Sequence, residues 1–497
     1  MSTAGPKYAG AAGPSGPSFA VEGDPSMFDA PPKGSHIHLI AVCGVGMASL
    51  AGLLQAEGYR VTGSDQNVYP PMSTYLAGVG IEVLPGFCAE HLVPKPDLVV
   101  VGNAVSRDNP EAQALLSAGI PYLSFPQALG TFLIGDRESL VVTGTHGKTT
   151  TTALAAWALT RAGFDPGFFV GGMPLNFGSG WSRGAGRHVV LEGDEYDSAF
   201  FDKGPKFLHY RPRHVILTSV EFDHADIYRD LDHLKSAFAR LVDLIPADGT
   251  LVVSGDYPAA LDVAGGARCR VITYGDGAEW SAAEIEAREG RSSFVPVWRG
   301  RREGRVELGM IGRHNVQNAL AVYAVGRTLG LGHRTLAEGF AGFRGVKRRQ
   351  ELRGAARGVR LIDDFAHHPT AVRETIEAVR AAYPGARLWA VFEPRSNTSR
   401  RRVFEREFAA ALGLADRVVL AAVHQPEKIP EGERLSVGNV VAAINDRCGE
   451  DRAVALAGAD AIAAHVAANA AAGDIVLVMS NGGFDGVQDK ILARLAA

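Results

Sequence analysis

Residues Gly144 to Thr152 read GTHGKTTTT, between an apolar run, SLVVT, and a helix-forming run, ALAAWALTRAG. Glycines let successive backbone N–H groups turn toward one anion, and the helix N-terminus adds positive potential. Lys148 then reaches the outer phosphates of a nucleotide, and Thr149 is placed to ligate Mg2+. The general spacing GxxxxGK[ST] would put a glycine at Val142, so this loop is a shorter variant that starts at Gly144. Two later apolar runs end in acid. RHVVLEGDEYD delivers Glu192, Asp194, Glu195 and Asp197, and HVILTSVEFDHADIY delivers Glu221, Asp223, His224 and Asp226. Carboxylates next to a triphosphate repel it unless cations lie between them, so the clusters point to Mg2+. A solvated acidic turn would explain either cluster alone; two of them after one phosphate loop favour the cation.

Further residues fit the same ligand. GRHNVQNA opens a helix with Asn315 and Asn318 three apart on one face, and amides of this kind can hold an adenine edge or simply cap the helix. The run Lys347, Arg348, Arg349 offers cations to a phosphate, or to solvent. Near the start, GVGMAS begins like a dinucleotide loop, but Ser49 stands at the third glycine position. With Gly44, Gly46 and Asp65 it could serve NAD or another nucleotide diphosphate, or give tight strand-to-helix packing. In FEPRSNT, Arg395 is a rigid donor fork suited to a carboxylate, with Ser396 and Asn397 beside it. An internal acid would satisfy Arg395 equally.

These residues need a scaffold, and 497 residues make about three domains. Strand-like and helix-like runs alternate from Ile37 onward, the pattern of α/β domains on mostly parallel sheets. The expected division is a Gly/Pro/Ser-rich disordered tail over 1–34, then units 35–137, 138–345 and 346–497. Residues 265–305 read as a meander of short strands, and the alanine-rich stretch 453–473 as helix. Net charge is -4 and the isoelectric point near 6.4, which excludes the positive field that holds nucleic acid. The four cysteines form no CxxC pair, so a reducing cytoplasm fits. The most apolar stretch, 39–54, is broken by three glycines and shorter than the roughly 20 residues that span a bilayer, so no membrane span is expected.

GTHGKTT, the strand-end acids with DH, GRHNVQNA, and KRRQ followed by DDFAHHPT together resemble the Mur ligase family over about 460 residues, from Ser35 onward. That resemblance implies three domains: a Rossmann-like UDP-binding domain, a central P-loop ATPase-like domain and a C-terminal Rossmann-like domain. It places Gly144, Thr145, His146, Gly147, Lys148, Thr149 and Thr150 on ATP phosphates, Asn318 on the base, and Arg349, Asp364 and His367 on the nucleotide from the last domain. It assigns the metal to Thr149, Glu192 and His224, catalysis to Lys148, Glu192 and His224, and the UDP site to Gly44, Gly46 and Asp65. Ser219 stands where the family often has asparagine, and Ala239 where some members carry a carbamylated lysine, so no carbamate is expected. EGDEYDSAFF and FEPRSNT are most similar to the branch that recycles murein tripeptide; the single-alanine branch usually shows EADESDASF. The implied reaction joins UDP-N-acetylmuramate to L-alanyl-γ-D-glutamyl-meso-diaminopimelate with ATP and Mg2+, through an acyl phosphate, with Arg395, Ser396 and Asn397 on the peptide. Rival readings are addition of free L-alanine, a regulatory or transport ATPase, and an NAD-dependent oxidoreductase, which leaves GTHGKTTTT unexplained.

Overall fold

A computed structural model describes residues 29–69, 72–224, 227–448 and 451–497. Asp226 and most of the opening segment, residues 1–28, lie outside the described residues. The end of that segment is tied down: Tyr59 Oη donates to Pro31 O at 3.1 Å, and Gly34 N to Gly58 O at 2.9 Å.

Three α/β units follow, as the alternation predicts. The first is a five-stranded parallel sheet with Arg60–Asp65, His36–Ile40 and Leu98–Val101 at its centre. In the second, Glu138–Thr143 lies between His188–Gly193 and Pro212–Leu217, all parallel. All three runs are almost wholly buried, which is why they read as continuous apolar segments without alternation. This sheet continues through Thr250–Ser254 and Arg270–Tyr274 into the antiparallel pair Trp280–Arg288 and Arg291–Trp298, the expected meander. The third unit is six-stranded; Val359–Asp364, Ile475–Met479, Leu388–Phe392 and Arg417–Ala421 form its parallel core.

The stretch 453–473 is a correction. Helix covers Ala459–Asn469, but Ala453–Leu456 is a parallel edge strand on Arg417–Ala421. Pairing with a formed sheet outweighs alanine's helix propensity, which is worth only tenths of a kcal/mol per residue, roughly. Among the described residues no helix is long and apolar enough to cross a membrane.

Two buried histidines make stability pH-dependent. Burial, aided by the Arg60 charge, lowers the His36 pKa from 6.5 to about 4. Burial does the same at His214, where it outweighs the opposing Glu138, also giving about 4. Between those values the unfolded chain binds protons that the folded chain refuses. The stability involved is therefore full above about pH 6.5 and lost as pH falls toward 4. Urea midpoints should drop between pH 7 and pH 5, and the drop should shrink in His36→Gln/His214→Gln; an unchanged slope would refute the assignment.

Candidate functional site

The phosphate loop grows from the middle of the central sheet. Thr143 is in register with Gly193 on one side and Leu217 on the other, so three chain segments leave the sheet at one place. That is the C-terminal edge where open α/β sheets bind ligands. Gly144 has φ 129° and Gly147 φ 77°, left-handed values that favour glycine. There is no room for side chains either: a Cβ on Gly144 would sit 2.3 Å from Thr218 Oγ1, and one on Gly147 2.6 Å from Asn318 Oδ1. The helix Lys148–Arg161 then begins on Gly147. Its threonines are poor helix formers, and Thr152 Oγ1 satisfies itself by donating to Lys148 O at 2.8 Å.

Lys148 Nζ donates to Gly144 O at 2.7 Å and pairs with Glu195 Oε2 at 2.9 Å. Burial opposes its charge, but Glu195 first, then Asp194 and Glu192, outweigh this and raise its pKa. Glu195 also pairs with His224 Nε2 at 3.2 Å. Burial of this carboxyl is overcome by Lys148 and His224, which bring its pKa down to about 2. Glu192 takes a different role: its Oε1 accepts from Thr149 Oγ1 at 2.7 Å and its Oε2 from Gly171 N at 2.6 Å. Burial and the nearby Asp194 raise its pKa. Sequence reading singled out Glu192 and His224, yet the group joining Lys148 to His224 is Glu195. Lys206 was also missed; its ammonium pairs with Asp194 at 2.9 Å and sits 4.6 Å over the Tyr196 ring. Nothing local in GPKFLHY marks it.

The third unit closes over this edge. Val359–Asp364, Leu388–Phe392 and Ile475–Met479 all end here, and Ser480 Oγ donates to Glu393 Oε2 at 2.5 Å. Backbone bonds Lys347 N to Met173 O (3.0 Å) and Leu175 N to Gly345 O (2.9 Å) dock the connection between units. Arg349 Nη2 crosses to Thr149 Oγ1 at 3.2 Å, with its guanidinium 4.8 Å over Phe365. Thr398 Oγ1 donates to Asp223 Oδ1 at 2.6 Å, and Thr370 Oγ1 to Glu221 Oε1 at 3.3 Å. A cavity of about 1080 Å3 opens between the units, lined by His146, Gly147, Tyr257, His314 and Asn318 among others. Thr150, Arg349 and Asp364 line a smaller space beside it.

Several chosen residues already have internal partners. Asp364 accepts from Gln350 N at 2.8 Å and Ala366 N at 2.7 Å. Burial raises its pKa against the pull of Arg349. His367 Nδ1 lies 3.0 Å from Phe365 O, and burial lowers its pKa. Asn315 is the scaffold of the amide pair: its Nδ2 donates to Ile311 O and Gln350 Oε1, while Asn318 donates to Asn315 at 3.3 Å. Ser219, in place of asparagine, accepts from His146 N at 2.9 Å.

Arg395 pairs with Glu393 at 3.3 Å and lies against Gly482, whose Cβ would meet its Nε at 2.0 Å. The internal acid named as the alternative is therefore present. Ser396 Oγ donates to Ser399 Oγ at 2.8 Å, and Asn397 Oδ1 accepts from Arg400 Nη2 at 2.5 Å.

In the first unit, Gly44 caps the helix Val45–Ala56, and a Cβ on Gly46 would press the Phe125 ring at 3.3 Å. Asp65 accepts from Cys43 N at 2.9 Å and Asn67 N at 2.8 Å, so it holds the loop shut on the sheet edge. This unit reaches the phosphate loop through residues 171–180. A Cβ on Gly180 would lie 3.6 Å from Ser49 Oγ, and one on Gly172 2.9 Å from Thr149 Cγ2.

Comparisons with known proteins agree with this layout. Three family models match in chain order: "Mur ligase family, catalytic domain" over 36–137, "Mur ligase middle domain" over 142–326, and "Mur ligase, glutamate ligase domain" over 348–482. The chain is 42% identical over 462 residues to the UDP-N-acetylmuramate-L-alanyl-gamma-D-glutamyl-meso-2,6-diaminoheptandioate ligase of Escherichia coli, covering 93% of this chain and 98% of that one. It is 37% identical to a UDP-N-acetylmuramate-L-alanine ligase of Arthrobacter, covering 88% and 90%. Among solved structures, a murein peptide ligase from Psychrobacter arcticus is 36% identical, with TM-score 0.69 over 93% of this chain and 99% of that one. With all three models in order and such identity across nearly its whole length, the chain belongs to the Mur ligase family.

Proposed function

We propose that the chain is an ATP- and Mg2+-dependent ligase that joins L-alanyl-γ-D-glutamyl-meso-diaminopimelate to UDP-N-acetylmuramate in cytoplasmic peptidoglycan recycling. Its carrying observation is the Thr398–Asp223 bond, which seats the FEPRSNT segment beside the Lys148–Glu195–His224 cluster. An acceptor held by that segment would meet a carboxylate activated at the cluster. Relatives at 42% and 39% identity bear the tripeptide-ligase name, and alanine ligases match at 37% and 33%.

On this reading each unit, 35–137, 138–345 and 346–497, presents one substrate. Gly44, Gly46 and Asp65 shape the UDP site. Gly144 to Thr150 wrap the phosphates, Asn318 faces the base, and Arg349, Asp364 and His367 reach the nucleotide from the third unit. The oxygens of Thr149 and Glu192, crowded by Asp194, suit Mg2+, and His224 adds an imidazole on the Glu195 side. Bound there, Mg2+ offsets phosphate charge. The muramate carboxylate attacks the γ-phosphorus, the bond to the ADP oxygen breaks, and Lys148 stabilises the oxygens that gain charge. An acyl phosphate forms. The peptide amine attacks its carbonyl carbon, inorganic phosphate leaves, and the amine gives up a proton as the amide forms.

Phosphate release with ATP, Mg2+ and UDP-N-acetylmuramate tests this when tripeptide and free alanine are offered separately. Tripeptide should show the higher kcat/KM, because alanine leaves most of the acceptor space unfilled. On this reading Arg395, held in place by Glu393, turns its remaining N–H groups to a peptide carboxylate. Arg395→Lys should therefore lower tripeptide use at least 10-fold, the loss of a paired contact worth about 1.5 kcal/mol or more. An unchanged kcat/KM would leave Glu393 as its sole partner. Equal or better efficiency with alanine would move the chain to the single-amino-acid ligases.

A further inference from the structure

Where the phosphate loop meets the third unit, three side chains form a cluster whose joint arrangement has no part in the ligase chemistry above, although one of them, His146, belongs to the loop. His146, from the loop, places Nε2 2.8 Å from Glu221 Oε2. His368, from the third unit, lays its ring 4.7 Å from that of His146, tilted by 40°. One donor atom from each of His146, Glu221 and His368 lies within 4.8 Å of the other two. His368 is only 5% exposed, and its Nε2 is buried without a hydrogen-bond partner among the described residues. Unpartnered buried nitrogens are uncommon in folded proteins and ask for an explanation.

We propose that His146, Glu221 and His368 form a binding site for a borderline divalent cation of the Zn2+, Co2+ or Ni2+ class, bridging the central and C-terminal units. Two imidazoles with one carboxylate select such ions, whereas Mg2+ and Ca2+ prefer oxygen throughout. Tetrahedral bonds of about 2.1 Å set donors roughly 3.4 Å apart, so the His146–Glu221 pair opens slightly and His368 moves in by about 1 Å. Water completes the coordination.

The protons balance. A cation on His146 Nε2 displaces the proton that faces Glu221, which moves to Nδ1 of a neutral ring or leaves to solvent from a charged one. His368 Nδ1 accepts from Thr370 N at 3.3 Å, which leaves the proton of this neutral ring on Nε2. Binding at Nε2 moves that proton to Nδ1 and gives up the long contact with Thr370. The ion then joins the phosphate loop directly to the N-terminus of the helix Pro369–Ala382.

The test is titration of the full-length protein with Co2+ in excess Mg2+, followed by visible absorption, with Zn2+ added to displace it. One equivalent of Co2+ should bind with a d–d band, and Zn2+ should abolish the band. His368→Asn keeps a side-chain acceptor at the helix cap and removes the imidazole, so it should weaken binding at least 10-fold with the thermal midpoint little changed. Glu221→Gln should weaken it similarly. His224→Ala should leave the band intact. The proposal is overturned if wild type binds no stoichiometric Co2+, if His368→Asn binds as wild type does, or if His224→Ala alone abolishes the band.

Discussion

Lys148→Ala should lose at least 100-fold in turnover, since one preorganised charge contact to the transferred phosphoryl group contributes roughly 3 to 4 kcal/mol. The same substitution should also lower stability. Glu195 is 1% exposed and Lys148 11%, and removing one partner of a buried pair commonly costs about 3 to 5 kcal/mol, because the other charge is left uncompensated. His224 remains beside Glu195 and softens that loss. The two effects separate in Lys148→Ala/Glu195→Gln, which should regain thermal stability and stay inactive. Recovery of turnover in the double variant would show that Lys148 serves Glu195 and not the phosphoryl group.

Gly144→Ala should abolish nucleotide binding and lower the melting temperature. A Cβ here would lie 2.3 Å from Thr218 Oγ1, 2.7 Å from Ser219 N and 2.8 Å from Ser219 O. Two of those atoms are backbone and cannot swing aside. With φ at 129° the conformation is itself unfavourable for alanine. Strain and overpacking of this kind each contribute about 1 to 3 kcal/mol. Gly58→Ala is the control: φ is 88°, and a Cβ there meets nothing within 4 Å. It should show the strain alone, with nucleotide binding retained. ADP binding by calorimetry and thermal melts check both variants, and normal binding by Gly144→Ala would sink the close-packing argument.

What the chain showed before folding was what is local. GTHGKTTTT carries its glycines, cation and helix start within nine residues, and buried parallel strands announce themselves as apolar runs. Strand ends bearing acid were equally visible. Which acid meets which cation was not, because it depends on Glu138–Thr143 lying between two strands that come later in the chain. That order sends Glu195, three residues past Glu192, to Lys148 and His224, and turns Glu192 toward Thr149 and Gly171. The approach of His368 to His146 spans more than 200 residues and has no sequence signature. For Arg395 the sequence left a substrate carboxylate and an internal acid both open; that the acid is Glu393, two residues back at the strand end, emerges only in the folded chain. Ala453–Leu456 was missed for a similar reason: an edge strand is made by its neighbour.

The seam between the second and third units has two unlike ends. Residues 173–175 and 345–347 are joined through backbone bonds, whereas the working edge is held by Arg349–Thr149, Thr398–Asp223 and Thr370–Glu221, all made by side chains. Such bonds contribute only about 1 kcal/mol each, and somewhat more where one group is charged. The arrangement is that of a jaw with a firm pivot and weakly fastened teeth. On the proposed reading, parting of these bonds would let ADP and phosphate escape while the pivot holds, and turnover would then be capped by how fast they part.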